Sequence, residues 1–500
     1  MILDRSIYRD KVYACWIGKN IGGTMGTPYE GSYDIRDIQG FVTKEGEILP
    51  NDDLDLQLVW LHAMEQNGPA AVNSSMLGDY WISLVTPHWN EYGIGKSNMK
   101  RGLVPPLAGD YDNDWRNSNG AWIRTEIWAS TAPGLPHVAA QHAMEDAKVD
   151  HGAGEGTFAA AFVAAMQSAA FVFSDIEKCI EIGLSAIPEE SRMAKSIRFV
   201  QKCRLDGMDW KETRCALQKL NSDIGDGWFE APSNVGYVVI GLLFGEGDFK
   251  KSMITAINCG DDTDCTGATV GATLGILNGT AGIPEDWKNH IGDDIITVSI
   301  AKGNNGKLVP KTCTELTDRV VAITPFVLYT HKMRLDNHFS RLPNLFAYNV
   351  ELGEKNEIPE NTYECLVGMA KREALPRTKA LVPYSMEFEN VCLGAQVILT
   401  DGADVTPGKE MRIRVLFQAK NSLEDEPRRM SCRWILPEGW SWSGKRAITL
   451  HGFDPHATGK GELNFTVIPG ETVLAENRLV LEITETGRHS ALYCSFVVLG

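Results

Sequence analysis

Five hundred residues, 43% of them hydrophobic and 23% charged, exceed what one hydrophobic core usually organises, so two folded domains are expected and a disordered or low-complexity chain is excluded. A formal net charge of −17 disfavours a polyphosphate partner and excludes nucleic acid, although metals or helix N-termini can still hold a small anion. The start, MILDRSIYRDK, mixes charges where a secretory signal needs an apolar core, and the longest apolar run, TFAAAFVAAMQSAAFVF, falls short of a bilayer span; a cytoplasmic protein without membrane contact is expected. Eleven scattered cysteines with no CxxC pair indicate reduced thiols rather than a disulfide framework.

In chain order, apolar residues from 7 to about 335 recur at helical spacing, as in Leu54, Leu58 and Leu61 or Met253, Ile254 and Ile257. This part reads as an all-α domain over residues 1–334. Residues 335–383 have no clear period, carry Pro343 and Pro359, and read as a connecting region. From 384 to 500 the pattern alternates, as in MRIRVLFQA and NRLVLEITE between polar turns, which predicts a β-sandwich.

Two acidic clusters each precede a helical pattern: NDDLD at 51–55 and DDTD at 261–264. Taken singly, each fits a helix start, with Asn51 or Thr263 as the cap and carboxylates favoured in the first turn. A pair of glycine series adds a second observation. Gly18, Gly22 and Gly26 recur every four residues, as do Gly267, Gly271, Gly275 and Gly279. Each glycine inside a helix costs about 1 kcal/mol relative to alanine, so two such stripes imply helices whose backbones pack in near contact at the centre of the domain.

The second acidic cluster is then central as well, and buried carboxylates must be paired, hydrogen-bonded or bound to cations. No Lys or Arg lies within NDDLDLQL or NCGDDTDC, which favours a divalent metal with oxygen ligands, Mg²⁺ or similar. An EF-hand loop begun at Asp262 has Thr273 where a bidentate Glu is required, and the segment from Asn51 lacks the spaced aspartates of calcium-dependent nucleoside hydrolases, so neither is expected.

Four ordered segments resemble the ADP-ribosylglycohydrolase family: GKNIGGTMGTPYE its glycine-rich opening helix with a closing Glu, NDDLDLQL its Thr-Asp-Asp segment, NSNGAWIR its Gly-Asn-Gly segment, and GDDTDCTGATVGATLGILNG its Gly-Asp-Thr-Asp-Thr helix. The resemblance spans about residues 8–290. It implies an orthogonal all-α bundle holding two Mg²⁺ ions that bind ribose hydroxyls and water for hydrolysis of a glycosidic bond to ADP-ribose. It further implies metal ligation by Asn51, Asp52, Asp53, Asp262 and Asp264, with Asp264 bridging, and catalytic parts for Glu30 and Asp53. Asn119, Gly120 and His151 match positions that contact ADP-ribose, with Arg124 closing the Asn119 segment. Trp228 and Phe229 read either as packed core or as an aromatic wall for the ligand.

This chain departs from the family pattern at three positions. Asn51 stands for the usual Thr, whose replacement amide oxygen can still ligate, and Gly23 stands where many members have Asp. Cys265 occupies the position of a threonine ligand, where a thiol is a soft partner for Mg²⁺, so one subsite is expected to be weak, empty or selective for a softer ion. Thr266 points about 100 degrees further round a helix and is a poor substitute.

Three readings follow. The first is a metal-dependent hydrolase acting on ADP-ribose, or a related ribosyl group, attached to a protein side chain or small aglycone. A non-catalytic protein binding an ADP-ribose-like ligand is the second, and a glycoside hydrolase of other specificity the third. The C-terminal part resembles an immunoglobulin-type accessory module, and the sequence leaves homo-oligomerisation open.

Overall fold

The computed structural model describes residues 2–3, 5–224, 229–300, 308–335, 356–357, 385–390, 392–419, 427–450 and 460–500. Nearly all of the expected connecting region, and Trp228, lie outside the described residues. The first part is helical: α1 (Arg5–Gly26), α2 (Asp52–Asn67), α3 (Ser74–Leu84), α4 (Asn90–Lys100), α5 (Leu107–Asp110), α6 (Glu126–Thr131), α7 (Pro136–Ala147) and α8 (Glu155–Ala170). It continues through α9 (Ile176–Leu184), α10 (Arg192–Leu205), α11 (Trp210–Leu220), α12 (Ala231–Phe244), α13 (Phe249–Asn258), α14 (Thr263–Asn278), α15 (Glu285–Ile291) and α16 (Cys313–Leu335). None of these helices is long and apolar enough to cross a membrane.

The two glycine stripes meet. A Cβ on Gly18 would overlap the Gly271 carbonyl, one on Gly22 the Gly267 carbonyl, one on Gly26 the backbone of Thr263 and Asp264, and one on Gly275 the Ala14 carbonyl. Helices α1 and α14 therefore run antiparallel with their backbones touching, and residues 263–277 of α14 are buried without a gap. The Gly26 contact brings the end of α1 against the start of α14, where the Thr263 hydroxyl donates to the Gly26 carbonyl at 2.8 Å. The second acidic cluster is thus fixed to the end of the most crowded helix pair.

Helix α2 begins on the Asn51 cap, whose Oδ1 accepts from the Asp53 backbone N–H at 2.8 Å. Its residues from Asp53 to Met64 are all buried. An α2 buried all round brings the first acidic cluster into the interior.

A short antiparallel pair joins β1 (Ile2–Leu3) to β2 (Asn356–Glu357). The C-terminal part contains β3 (Ser385–Glu389), β4 (Leu393–Leu399), β5 (Met411–Ala419), β6 (Arg428–Ile435), β7 (Ser441–Gly444), β8 (Ala447–Leu450), β9 (Lys460–Ile468), β10 (Glu476–Glu485) and β11 (Ala491–Leu499). They form two antiparallel sheets, ordered β11-β10-β6-β8 and β3-β4-β5-β9-β7. Strand β6 alternates strictly between buried and exposed, sending Met430, Cys432 and Trp434 inward against Ile413, Val415 and Phe465 of the facing sheet. This is the all-β sandwich that the alternating pattern predicts. Leu103, Leu107 and Ala108 of the helical part join that same apolar core, so the sandwich is seated on the segment around α5.

Candidate active site

The loop after α1 is clamped to the turn before α14. Gly31 N–H donates to the Asp261 carbonyl at 2.9 Å, and Asp261 N–H donates to the Ser32 carbonyl at 2.6 Å. Asp261 adopts the left-handed conformation, with φ of 65°. Its carboxylate accepts from the Asn234 amide at 2.9 Å and from Phe229 N–H at 3.3 Å. Asp261 is therefore a structural anchor: it holds the turn so that Glu30, just before the clamp, faces Asp262 and Asp264, just after it.

One oxygen each of Glu30, Asp262 and Asp264 lie within 4.8 Å of one another, and so do one oxygen each of Asp53 and Asp264 with the Cys265 sulfur. Asp264 belongs to both groups and joins the first acidic segment to the second. Asp262 Oδ2 accepts from the Asn119 amide at 2.6 Å. Asp52 accepts from the Tyr92 hydroxyl at 3.1 Å, and Asp53 Oδ1 accepts from the Cys265 thiol at 3.3 Å. Asn51 caps α2 with its oxygen, while its amide nitrogen fills the space that a Cβ on Gly23 would need. Gly23 and Asn51 are thus sterically coupled: the larger cap requires the smaller helix residue.

Basic residues are absent from both acidic segments, but Lys19, on α1 and 1% exposed, reaches Asp53 Oδ2 at 3.8 Å. Its nearer partner is Glu126 Oε2 at 3.1 Å, and it also donates to the Ile123 carbonyl at 2.7 Å. Glu126 is held in turn by Gln57 at 2.8 Å and Gln167 at 3.1 Å. One lysine already paired to Glu126 leaves most of the charge at Asp52, Asp53, Asp262 and Asp264 uncompensated. The carboxyl of Asp53 is held well above its ordinary range by burial, against the opposing pull of Lys19. Asp262 is raised likewise by burial and then by Asp264. Asp52 is pushed up to about 6 by burial and by Asp264, and Glu30, at the exposed rim, to about 8, first by the charge of Asp264 and then by burial.

These residues fit a divalent cation. Asp262 Oδ1 and Asp264 Oδ1 are buried oxygens without a hydrogen-bond partner among the described residues. Carboxylate oxygens crowded in this way suit a hard ion; the Cys265 sulfur does not. The Thr266 hydroxyl bonds back to the Thr263 carbonyl at 3.2 Å within its own helix and does not stand in for a missing oxygen ligand.

The residues expected against substrate lie behind the acidic cluster. Asn119 is 3% exposed, with its amide on Asp262 and its oxygen accepting from the Trp122 indole at 2.9 Å. Gly120 is buried where a Cβ would overlap Glu91 and Tyr92. His151 is fully buried, with Nδ1 at 2.9 Å from Asp150 Oδ1 and Nε2 at 3.2 Å from the Ser118 hydroxyl. Asp150 is also paired with Arg124 at 2.7 Å, so this network supports the 118–120 loop from below. Phe229 is half-buried, and its backbone N–H donates to Asp261.

Lys19, Glu126, Tyr92 and Asn234 were not legible as site residues, because each arrives from a helix distant in sequence. Only the position of Lys19 inside the glycine stripe, on a helix expected to be buried, signalled a charge in need of partners. A cavity of about 650 Å³ is lined by residues 110 and 112–117 together with Glu230, and by none of the clustered carboxylates. The Ser118–Glu230 bridge and Asn119 connect its wall to Asp262.

Residues 4–318 match the family described as ADP-ribosylglycohydrolase. No curated protein matches the chain. Among solved structures it is similar to an ADP-ribosylglycohydrolase-related protein complex at 17% identity, covering 64% of this chain and 99% of that one, with a TM-score of 0.41. Its similarity to a FixG-related protein from Vibrio parahaemolyticus is 12% identity over 21% of this chain and 94% of that one, TM-score 0.18. The GAE domain of GGA2p from Saccharomyces cerevisiae follows at 9% identity over 23% and 96%, TM-score 0.16.

Proposed function

We propose that this chain, which belongs to the ADP-ribosylglycohydrolase family, is a metal-dependent hydrolase that cleaves the glycosidic bond between ADP-ribose and a protein side chain or small aglycone. The observation that carries the reading is the meeting of two acidic segments, remote in sequence, on Asp264. Asp53, Asp262 and Asp264 would hold divalent metal, Mg²⁺ at the all-oxygen side, with Glu30, Asp52 and Asn51 beside them. A bound ion supplies Lewis acidity toward sugar hydroxyls and water there.

The chain's own residues orient and move protons. Asn119 fixes one oxygen of Asp262, leaving Oδ1 to face the site. Tyr92 does the same for Asp52. Glu30, raised to about 8 without a cation, stands at the rim, where it can take a proton from an attacking water. Positive charge placed beside it lowers that value and readies the carboxylate as a base near neutral pH.

The test is release of ADP-ribose from arginine-linked, serine-linked and small-molecule ADP-ribosides, with Mg²⁺, with EDTA, and with Asp264→Ala. Release that disappears in both EDTA and the variant is the expected result and identifies the linkage. ADP-ribose binding without release would favour a binding protein instead.

A further inference from the structure

We propose that the two sides of this site differ in hardness: Asp262 and Asp264, with Glu30 beside them, form an all-oxygen subsite, while Cys265 with Asp53 and Asp264 forms a mixed sulfur–oxygen subsite selective for a borderline ion such as Zn²⁺ or Co²⁺ over Mg²⁺. This rests on the reading that the Asp264 cluster holds a divalent cation. Three features carry it.

The first is spacing. A sulfur at about 2.3 Å and an oxygen at about 2.1 Å from one ion lie about 3.1 Å apart at a right angle and about 3.6 Å apart at the tetrahedral angle. The Cys265 sulfur and Asp53 Oδ1 are already 3.3 Å apart, a spacing that one ion can bridge in place of the thiol proton. Second, Asp264 is 6% exposed and its Oδ1 has no hydrogen-bond partner among the described residues, while its ligand atom lies within 4.8 Å of both other donors. Third, no hydroxyl replaces the thiol, because Thr266 bonds to the Thr263 carbonyl and Thr263 to the Gly26 carbonyl. Cys265 is itself fixed, since it lies in the first turn of α14, which packs on α1 through glycine. A strongly hydrated Mg²⁺ gains little from sulfur, whereas Zn²⁺ and Co²⁺ bind it readily. Binding forms a sulfur–metal bond and releases the thiol proton to solvent; no electrons are transferred.

The experiment is a Co²⁺ titration of the chelator-treated full chain, followed by electronic absorption, beside Cys265→Ser and Asp264→Ala, with circular dichroism to verify folding. The expected result is a thiolate-to-Co²⁺ charge-transfer band that saturates near one ion per chain, is absent in Cys265→Ser, and is displaced by Zn²⁺ but not by equimolar Mg²⁺. Calorimetry should show the preference for Zn²⁺ over Mg²⁺ shrinking at least about tenfold in Cys265→Thr. Co²⁺ binding identical in wild type and Cys265→Ser, without that band, overturns the mixed subsite while leaving the metal site intact. No binding of Co²⁺, Zn²⁺ or Mg²⁺ to the wild type overturns both. Should Cys265→Ser misfold, the same band in wild type must still vanish in a folded Asp264→Ala for the assignment to stand.

Discussion

Asn119 illustrates how a residue with little exposure can govern a reactive site. Its amide donates to Asp262 and its oxygen is held by Trp122, so it orients a carboxylate without facing solvent. Outer partners of this kind typically change metal affinity about 10–100-fold when removed. Asn119→Ala should weaken divalent-ion binding by that range in calorimetry while the circular dichroism spectrum is retained; unchanged affinity would mean that Asp262 is oriented by something else. At this scale the carboxylates were legible because two acidic clusters without basic neighbours stand at helix starts beside glycine stripes, whereas Cys265 was legible only through the resemblance, which implies a threonine at its position. Lys19 was not, since an ion pair between α1 and α2 closes only through the tertiary fold. Nor could sequence reveal that Asp261, adjacent to Asp262, is held by Asn234 and Phe229.

Helices α1 and α14 set the position of everything above. Their glycine contacts leave no room for a methyl group, and the obstructing atoms are backbone, which cannot rotate away as a side chain can. Gly22→Ala should therefore cost more than about 3 kcal/mol, beyond ordinary overpacking, and reduce metal binding by displacing Asp264 from α2. Gly40→Ala, where a Cβ meets nothing within 4 Å, should stay within about 0.5 kcal/mol. Urea unfolding of both variants measures the contrast; equal stabilities would remove the packing explanation for the stripes. The stripes were readable because a period of four glycines in a helix is expensive on its own. Their antiparallel pairing with each other was not, because the sequence does not reveal which two glycine faces meet.

Across the whole molecule, the crowded carboxyls couple stability to pH and to metal. Glu30 is raised to about 8, Asp52 to about 6 and Asp55, by burial, to about 7, against unfolded values near 4. Between those values the folded chain binds more protons than the unfolded one, so stability falls as pH rises through that window. The chelated protein should lose melting temperature from about pH 5 to pH 8, and added divalent ion should flatten the decline. A melting temperature that rises over that interval in EDTA would contradict the electrostatic account. The all-α and all-β halves were plain from the change in apolar period, whereas the seating of the sandwich on Leu103, Leu107 and Ala108 was invisible, since those residues read as ordinary helical apolars.

The central claim, that acidic segments from two helices converge on Asp264 to hold divalent metal, is tested most directly by anomalous diffraction from crystals grown with Mn²⁺. The account predicts a peak within bonding distance of Asp264 and of Asp262 or Asp53. Density showing those carboxylates bonded only to water or to Lys19, with no anomalous peak at millimolar Mn²⁺, would contradict it.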